Sequence, residues 1–174
     1  MILTKTEIHR EVENGNIAIA PFFPEQLNPN SYNYRLGPKL KNLHPAASLN
    51  EELMEEPATE IPAAGRLLEP GKVYLAQTLE RIGSKKYVTL LMGRSSIGRL
   101  GLFLQLSADL GNLGEGHQWT LELTCVQPIV IYPNMVIGQV TFWKPKGEIM
   151  YYAGPYTAYS EPTGNLRPYG GVSP

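Results

Sequence analysis

Two groups of polar side chains interrupt the apolar runs in the middle of this sequence. The first lies in "MGRSSIGRLGLFLQLSA", residues 92–108, which carries Arg94, Ser95, Ser96 and Arg99. Guanidinium groups and hydroxyls at this density suit phosphate oxygens and a hydrogen-bonded water. Two neighbouring arginines also often form only surface ion pairs, so this stretch alone leaves both interpretations open.

The second group is centred on Glu122 in the run "WTLELTC". Strand alternation predicts one apolar face and one polar face, made respectively of Trp119, Leu121, Leu123 and Cys125, and of Thr120, Glu122 and Thr124. A lone glutamate on the polar face of a strand is more often an exposed acid than a catalytic group. Beside a held water, however, a carboxylate is what general acid–base catalysis requires.

Zinc-dependent chemistry does not fit the sequence. Zinc deaminases use a His-x-Glu followed by Pro-Cys-x-x-Cys. The triplet His9-Arg10-Glu11 matches the first half, but Cys125 is the single cysteine of the chain. His9, His44 and His117 are scattered and are expected at the surface, and Cys125 is expected to be a buried thiol. The sequence contains neither a nucleophile elbow nor a phosphate loop of the Gly-x-x-x-x-Gly-Lys type.

The composition indicates a soluble single domain. The 174 residues include 15 Lys+Arg and 16 Asp+Glu, for a net charge of -1, which argues against a broad nucleic-acid or membrane-binding surface. No apolar run approaches the roughly 20 residues of a membrane span. The charged N-terminal stretch does not resemble a secretory signal, and a single cysteine suits a reducing compartment. We therefore expect a cytoplasmic protein that binds neither nucleic acid nor membranes.

The elements that must position these residues are mostly strands. Thr4 and Glu7 form a capping-box pair that predicts a short helix ending near Gly15. Short runs rich in β-branched and aromatic residues follow between turn residues: "NIAIA", "SYNYRLG", "KVYLAQT", "YVTLLMG", "LFLQLSA", "WTLELTC", "PIVIYP" and "IGQVTFW". Their spacing predicts an all-β sandwich or barrel rather than βαβ units. The polar stretch from His44 to Pro70 is expected to be a long surface loop with one helical turn.

The last segment, "YYAGPYTAYSEPTGNLRPYGGVSP", has a composition of its own. It holds five of the ten tyrosines and shows no apolar periodicity. Such a segment cannot form a core by itself. It is either a disordered terminus or a lid whose tyrosines and Arg167 become ordered over a bound ligand.

Together these motifs resemble the dCTP deaminase branch of the dUTPase superfamily. The resemblance is carried by "GRSSIGRLGL", "WTLEL" and "PIVIYPNMVIGQVTF", by "NSYNYRLG" at residues 30–37, and by "YAGPYTAYSEPT" in the tail. It covers nearly the whole chain apart from the polar loop. It implies a mainly β fold over residues 1–150, a dUTPase-like distorted β-barrel of jelly-roll type with a short N-terminal helix. Residues 151–174 would form a flexible C-terminal lid.

The resemblance also implies a function, the hydrolytic deamination of dCTP to dUTP and ammonia in pyrimidine deoxynucleotide metabolism. Glu122 would act as general base and acid without a catalytic metal, while Ser95, Arg99 and the backbone carbonyl of Ala108 would hold the water and the leaving amine. The nucleotide and its phosphates would be bound by Arg94, Ser96, Asn112 and Gln139, and by Tyr156 and Arg167 of the lid. Mg²⁺ would bind through the phosphates, with no zinc. The family implies a homotrimer with active sites at subunit boundaries, and dUTP and dTTP are further candidate ligands.

Departures from the family pattern keep other functions open. Asn112 stands where an aspartate that activates water at the α-phosphorus is expected, and an amide cannot accept that proton. This argues against a bifunctional dCTP deaminase and dUTPase that yields dUMP, which is the first alternative function. Asn33 also replaces an aspartate, and Pro155 and Tyr159 replace a lysine and a glutamine in the lid. A deaminase of a modified or differently phosphorylated cytosine nucleotide and a catalytically silent nucleotide-binding regulator are therefore alternatives.

Overall fold

The fold is mainly β, as the sequence predicts. The computed structural model describes residues 1–43, 57–105, 108–152 and 161–164. This part of the chain contains helices α1 (Lys5–Glu13) and α2 (Ser95–Gly98), a 3₁₀ turn (Pro24–Gln26) and 13 strands. The strands are β1 (Ala18–Ala20), β2 (Leu27–Asn28), β3 (Ser31–Asn42), β4 (Thr59–Glu60), β5 (Arg66–Leu68), β6 (Val73–Thr78), β7 (Arg81–Gly83), β8 (Val88–Gly93), β9 (Leu102–Leu104), β10 (Leu110–Gly111), β11 (Thr120–Cys125), β12 (Ile129–Ile131) and β13 (Val136–Trp143).

The predicted helix and strands are confirmed in kind. Each of the eight apolar runs contains a strand, and α1 follows Thr4 directly. The capping-box pair does not supply a side-chain cap, because the Thr4 hydroxyl makes no capping hydrogen bond. Gly15 follows the end of α1 with a φ of 72°, the left-handed conformation that closes many helices. Neither helix in the described part of the chain is long and apolar enough to cross a membrane.

The prediction of a long loop from His44 to Pro70 is wrong over its described part. Strand β4 pairs with β3, and β5 pairs with β12. Leu68 on β5 is completely buried. Strands of two or three residues are too short to show alternation, and their pairing partners lie far along the chain, so no local pattern predicts them. Residues 44–56, where the helical turn was expected, lie outside the described residues.

The main sheet must curl. Nine strands belong to it, with the order β10-β8-β13-β3-β6-β11-β9 and with β2 and β4 attached to β3. A flat arrangement would place the edge strands β10 and β9 roughly 29 Å apart, at about 4.8 Å for each strand interval. Only residues 105–109 connect these two edges, and such a segment spans at most about 22 Å. The sheet therefore bends into a half-barrel that brings its edges together.

Strand β3 links the two halves of this sheet. Its first residues pair with β13 and its later residues with β6, and the register shifts between Leu36 and Leu40. The bend lies at Gly37, where a Cβ atom would come within 2.7 Å of Gln77 Cγ. Only glycine allows the two strands to approach this closely.

The hydrophobic core is a cluster of buried side chains. It contains completely buried side chains from β3, β11 and β13, namely Tyr32, Tyr34, Leu36, Leu121, Leu123, Ile137, Val140 and Phe142. Cys125 closes the apolar face of β11 and is buried, as the sequence predicts. Burial raises the pKa of its thiol. The burial of β11 alternates along its length, with Glu122 and its two threonines on the more exposed face.

Candidate active site

The arginine and serine stretch forms a turn between two strands. Strand β8 ends at Gly93, and Arg94 is extended. The chain then forms the single helical turn α2. Gly101, with a φ of 85°, lies directly before β9. Arg94 is half-buried, whereas Ser95, Ser96 and Arg99 are exposed. Within the described ranges, these four side chains make no hydrogen bond or ion pair to the rest of the protein.

Gln139 lies beside the start of this turn. It is paired with Met92 on β8 and with Asn33 on β3. Its Oε1 accepts a hydrogen bond from the Ser31 hydroxyl at 2.8 Å, and its Nε2 lies 3.4 Å from the Gly93 carbonyl oxygen. The amide of Gln139 thus supports the backbone just before Arg94, and its role in binding phosphate stays a prediction.

Glu122 lies on the half-exposed face of β11, between β6 and β9. Its neighbour across β6 is Leu75. In the part of the chain that the structure describes, its carboxylate has no hydrogen-bond donor or cation as a partner. Its backbone is held firmly, because its N–H donates to Gln105 Oε1 at 2.8 Å and its carbonyl accepts from Gln105 N at 3.2 Å. A rigid backbone with an unpartnered carboxylate suits a group that exchanges protons with a ligand.

Ala108 is connected to Glu122 through the same glutamine. Gln105 Nε2 donates to the Ala108 carbonyl at 2.9 Å. Gln105 has a φ of 50°, so β9 ends at Leu104 and the strand predicted as far as Ala108 is wrong at this point. Sequence reasoning missed Gln105. The available signal was a polar residue in the run "LFLQLSA", two positions after Phe103 and thus on the polar side of the alternation.

The structure places the predicted residues on neighbouring elements without joining them directly. Helix α2 packs against β9, and β9 pairs with β11. No hydrogen bond or ion pair between described residues links the α2 side chains to Glu122. Asn112 is exposed and follows β10, at the other edge of the sheet. Tyr156, Arg167, Pro155 and Tyr159 lie outside the described residues.

A short piece of the C-terminal segment lies on the face that carries Glu122. The Thr163 N–H donates to Thr120 Oγ1 at 3.2 Å, and Glu161 forms an ion pair with Lys39 on β3. Thr120 precedes Glu122 by two residues and shares its face of β11. Residues 161–164 therefore lie across this end of the sheet.

His117 lies at the surface, as the sequence predicts, but is partly covered. Its ring is half-buried and lies 4.1 Å from the Trp119 ring, centroid to centroid. Burial lowers the pKa of His117, which favours the neutral imidazole. His9 contacts Phe22 and Glu13 on and beside α1, and His44 lies outside the described residues. The described residues contain no group of three or more His, Cys, Asp or Glu side chains arranged to hold a metal ion.

Comparison with known proteins agrees with the fold and identifies a family. Residues 2–145 match the family described as dCTP deaminase-like. A protein of Hathewaya histolytica named "dCTP deaminase, dUMP-forming" is 46% identical over 158 residues, covering 90% of this chain and 91% of that one. A protein of Rhodopirellula baltica named "dCTP deaminase" is 40% identical over 155 residues, covering 85% of this chain and 74% of that one.

A solved structure has the same fold. The crystal structure of 2'-deoxycytidine 5'-triphosphate deaminase from Agrobacterium tumefaciens superposes with a TM-score of 0.64 at 21% identity. The match covers 81% of this chain and 47% of the solved chain. At this identity the likeness concerns the fold, a curled β-sheet of the dUTPase type. The family match over most of the residues and the high identity to full-length relatives lead to one conclusion: the chain belongs to the dCTP deaminase-like family.

Proposed function

We propose that this protein deaminates dCTP hydrolytically to dUTP and ammonia, with Glu122 as the general acid and base and no catalytic metal. The observation that carries the proposal is the carboxylate of Glu122, which has no partner among the described residues and lies on a backbone held by Gln105. Its strand pairs with β9, against which the α2 turn with its guanidinium and hydroxyl groups packs. The relatives' names supply the substrate class for this site.

The proposed chemistry balances around one carboxyl group. Glu122 takes a proton from a water molecule as that water adds to C4 of the cytosine ring. The carboxyl gives this proton to N3, then takes the proton of the new C4 hydroxyl and passes it to the exocyclic amine, so that the C4=O bond forms, the C4–N bond breaks and ammonia leaves. Ser95, Arg99 and the Ala108 carbonyl are proposed to hold the water and the amine. Positioned acid–base catalysis of this kind contributes about 10²–10⁴-fold, and orientation supplies much of the remainder.

The triphosphate is proposed to bind at the α2 turn. Arg94 and Ser96 offer charged and neutral donors, and Gln139 stands beside them. This donor set fits a nucleotide that brings its own Mg²⁺, since hard phosphate oxygens and water are the ligands that this ion prefers. Asn112, and Tyr156 and Arg167 of the C-terminal lid, are proposed to complete the nucleotide site. Removal of Mg²⁺ with a chelator should raise the KM for dCTP.

The proposed assembly is a homotrimer in the cytoplasm with active sites at subunit boundaries. A row of side chains across β6, β11 and β9 continues the face of Glu122: Val73, Thr124 and Phe103 are aligned in register. Val73 and Phe103 are 44% and 37% exposed. Apolar side chains aligned on one sheet face are suited to burial against another subunit. A neighbouring copy would also bring a second set of α2 donors to the site.

A dUMP-forming enzyme is the second candidate, because the Hathewaya relative carries that name. Such an enzyme would also hydrolyse the bond at the α-phosphorus and release pyrophosphate. Asn112 is exposed beside β10 and lacks the carboxylate that would accept a proton from the attacking water. The second candidate therefore requires that a water molecule attack the α-phosphorus without a carboxylate at position 112.

The deciding experiment is product analysis. The purified protein is incubated separately with dCTP, dCMP and dUTP in the presence of Mg²⁺, and products are resolved by ion-exchange chromatography. We expect dUTP and ammonia from dCTP. Formation of dUMP and pyrophosphate would establish the second candidate instead. Absence of any product with dCTP would refute both and leave a modified cytosine nucleotide or a silent nucleotide-binding regulator as the alternatives.

A further inference from the structure

Gln105 has a backbone conformation that its residue type does not favour. Its φ of 50° lies in the left-handed region, where an L-residue with a Cβ atom is strained and glycine is not. The residue is 9% exposed and directly follows β9. What glutamine supplies here and glycine cannot is a side-chain amide, so the contacts of that amide explain why the strain is tolerated.

The amide of Gln105 spans two backbone groups of the proposed site. Its Oε1 accepts the Glu122 N–H at 2.8 Å, and its Nε2 donates to the Ala108 carbonyl at 2.9 Å. Its own N–H donates to the Glu122 carbonyl at 3.2 Å. Both ends of the Glu122 backbone are thus held by one residue, which simultaneously fixes the direction of the Ala108 carbonyl.

We propose that Gln105 is a positioning residue for the deamination, an inference that rests on the function proposed above. A carbonyl oxygen has two lone pairs, and Gln105 occupies one of those on Ala108. The other is thereby aimed at the water and leaving amine beside the Glu122 carboxyl. The coupling is direct, because a single planar amide sets the distance between the acid–base group and the acceptor. Gln105 touches no reacting atom itself.

The two contacts require an amide in one orientation. A glutamate at this position could still accept the Glu122 N–H, but its second oxygen would face the Ala108 carbonyl oxygen, and the two acceptors would repel. Gln105→Glu therefore preserves size and one contact while breaking the other. Gln105→Gly removes both contacts and relieves the backbone strain, so it provides a second variant that is expected to fold.

The test compares both variants with the wild type and with Gln26→Glu. Gln26 is a matched control because its Nε2 also donates to a backbone carbonyl, that of Asn33 at 2.7 Å, away from Glu122. We expect kcat for dCTP to fall by about 10–100-fold in both Gln105 variants, since misplaced catalytic groups cost this much, with KM changed less than about threefold. Gln26→Glu should retain the wild-type kcat even where its unfolding midpoint drops.

The outcomes separate the two proposals. A wild-type protein that does not deaminate dCTP overturns the proposed function. A wild type that deaminates dCTP, alongside a Gln105→Glu variant with unchanged kcat, overturns the positioning inference alone. Hydrogen exchange at the Glu122 amide provides a readout independent of turnover: it should accelerate in Gln105→Gly, and an unchanged exchange rate would contradict the clamp.

Discussion

Glu11 and Glu80 are surrounded by hydrogen-bond donors, whereas the Glu122 carboxylate has none in the described part of the chain. Glu11 accepts from Asn16 Nδ2 at 3.0 Å, Lys86 Nζ at 2.8 Å and Tyr87 OH at 2.8 Å. Glu80 is completely buried and accepts from the backbone N–H and Nε of Arg35 at 2.8 and 2.7 Å. Glu122 is held only through its backbone.

The comparison separates the glutamates that stabilise the fold, Glu11 and Glu80, from Glu122, which is proposed to act on a ligand. A buried carboxylate must be paired and hydrogen-bonded, because an uncompensated buried charge is strongly destabilising. Both glutamates of the first kind connect distant parts of the chain: Glu11 joins α1 to the segment before β8, and Glu80 joins β3 to the turn after β6. Between described residues, the Glu122 side chain forms no such connection.

The largest effect is expected from Glu122→Gln. It should reduce kcat for dCTP by about 10²–10⁴-fold, because the amide can neither accept the proton of water nor return one. The urea unfolding midpoint should stay close to that of the wild type, because Gln has nearly the same size and no hydrogen bond or ion pair of the carboxylate to a described residue is lost. Ammonia release and urea titration on the same preparation check both statements. Substantial dCTP turnover by this variant would contradict the proposed role of Glu122 as general acid and base.

Glu80→Gln should have the opposite profile. It leaves the Arg35 guanidinium in a largely buried position, over the Phe23 ring at 4.6 Å, with Nη2 already lacking an acceptor. Breaking such a pair costs about 3–5 kcal/mol of unfolding free energy. The kcat per folded molecule should equal that of the wild type. Urea unfolding combined with active-site-normalised turnover tests this, and a loss of kcat without a loss of stability would contradict it.

Glu11 should make stability depend on pH. The hydrogen bond from Lys86, followed by those from Tyr87 and Asn16, lowers the pKa of the Glu11 carboxyl below its ordinary value of 4.5. Since the folded-state pKa is depressed, the stabilisation is fully present above about pH 4.5 and is lost as the pH falls through the folded-state pKa. Urea midpoints measured between about pH 7 and pH 3 should decline less steeply in Glu11→Gln than in the wild type. Equal slopes would mean that Glu11 is not held as described.

The smallest effect on stability is expected for an ion pair on the surface. Lys85 and Glu115 form an ion pair whose side chains are 61% and 81% exposed. Water and salt screen such pairs, so Lys85→Ala should leave the unfolding midpoint unchanged at moderate ionic strength. Thermal unfolding at two salt concentrations checks this. A clear destabilisation would contradict this expectation. It would show that an ion pair stabilises the fold even when, unlike those of Glu11 and Glu80, it is exposed.

The sequence predicts the strands well where apolar and polar residues alternate, because the apolar ones must face the core. The β11 pattern assigns Glu122 to the correct face, because leucines at every second position must enter the core. The same reasoning fails for β4 and β5, whose pairing is decided by distant partners. It also extends β9 too far, because the left-handed turn at Gln105 is imposed by contacts to Glu122 and Ala108.

For the site, the sequence singles out candidate residues by type, whereas their arrangement is seen only in the structure. Arg94, Ser95, Ser96, Arg99 and Glu122 stand out by type and by family resemblance. Their availability as unpartnered groups depends on three-dimensional contacts, which local patterns do not encode. The packing of His117 against Trp119 illustrates the same limit, because the contact depends on side-chain orientations that the residue pattern does not give.

The buried thiol of Cys125 makes strand β11 a reporter of its own opening. A thiol reacts with a labelling reagent as the thiolate and only when the reagent can reach it, and burial of Cys125 opposes both conditions. Because this is the single cysteine of the chain, all labelling arises from one site. The ratio of labelling rates in native and urea-unfolded protein therefore measures the free energy of local opening three residues from Glu122. Nucleotide binding that tightens this strand would slow the reaction without any engineered probe.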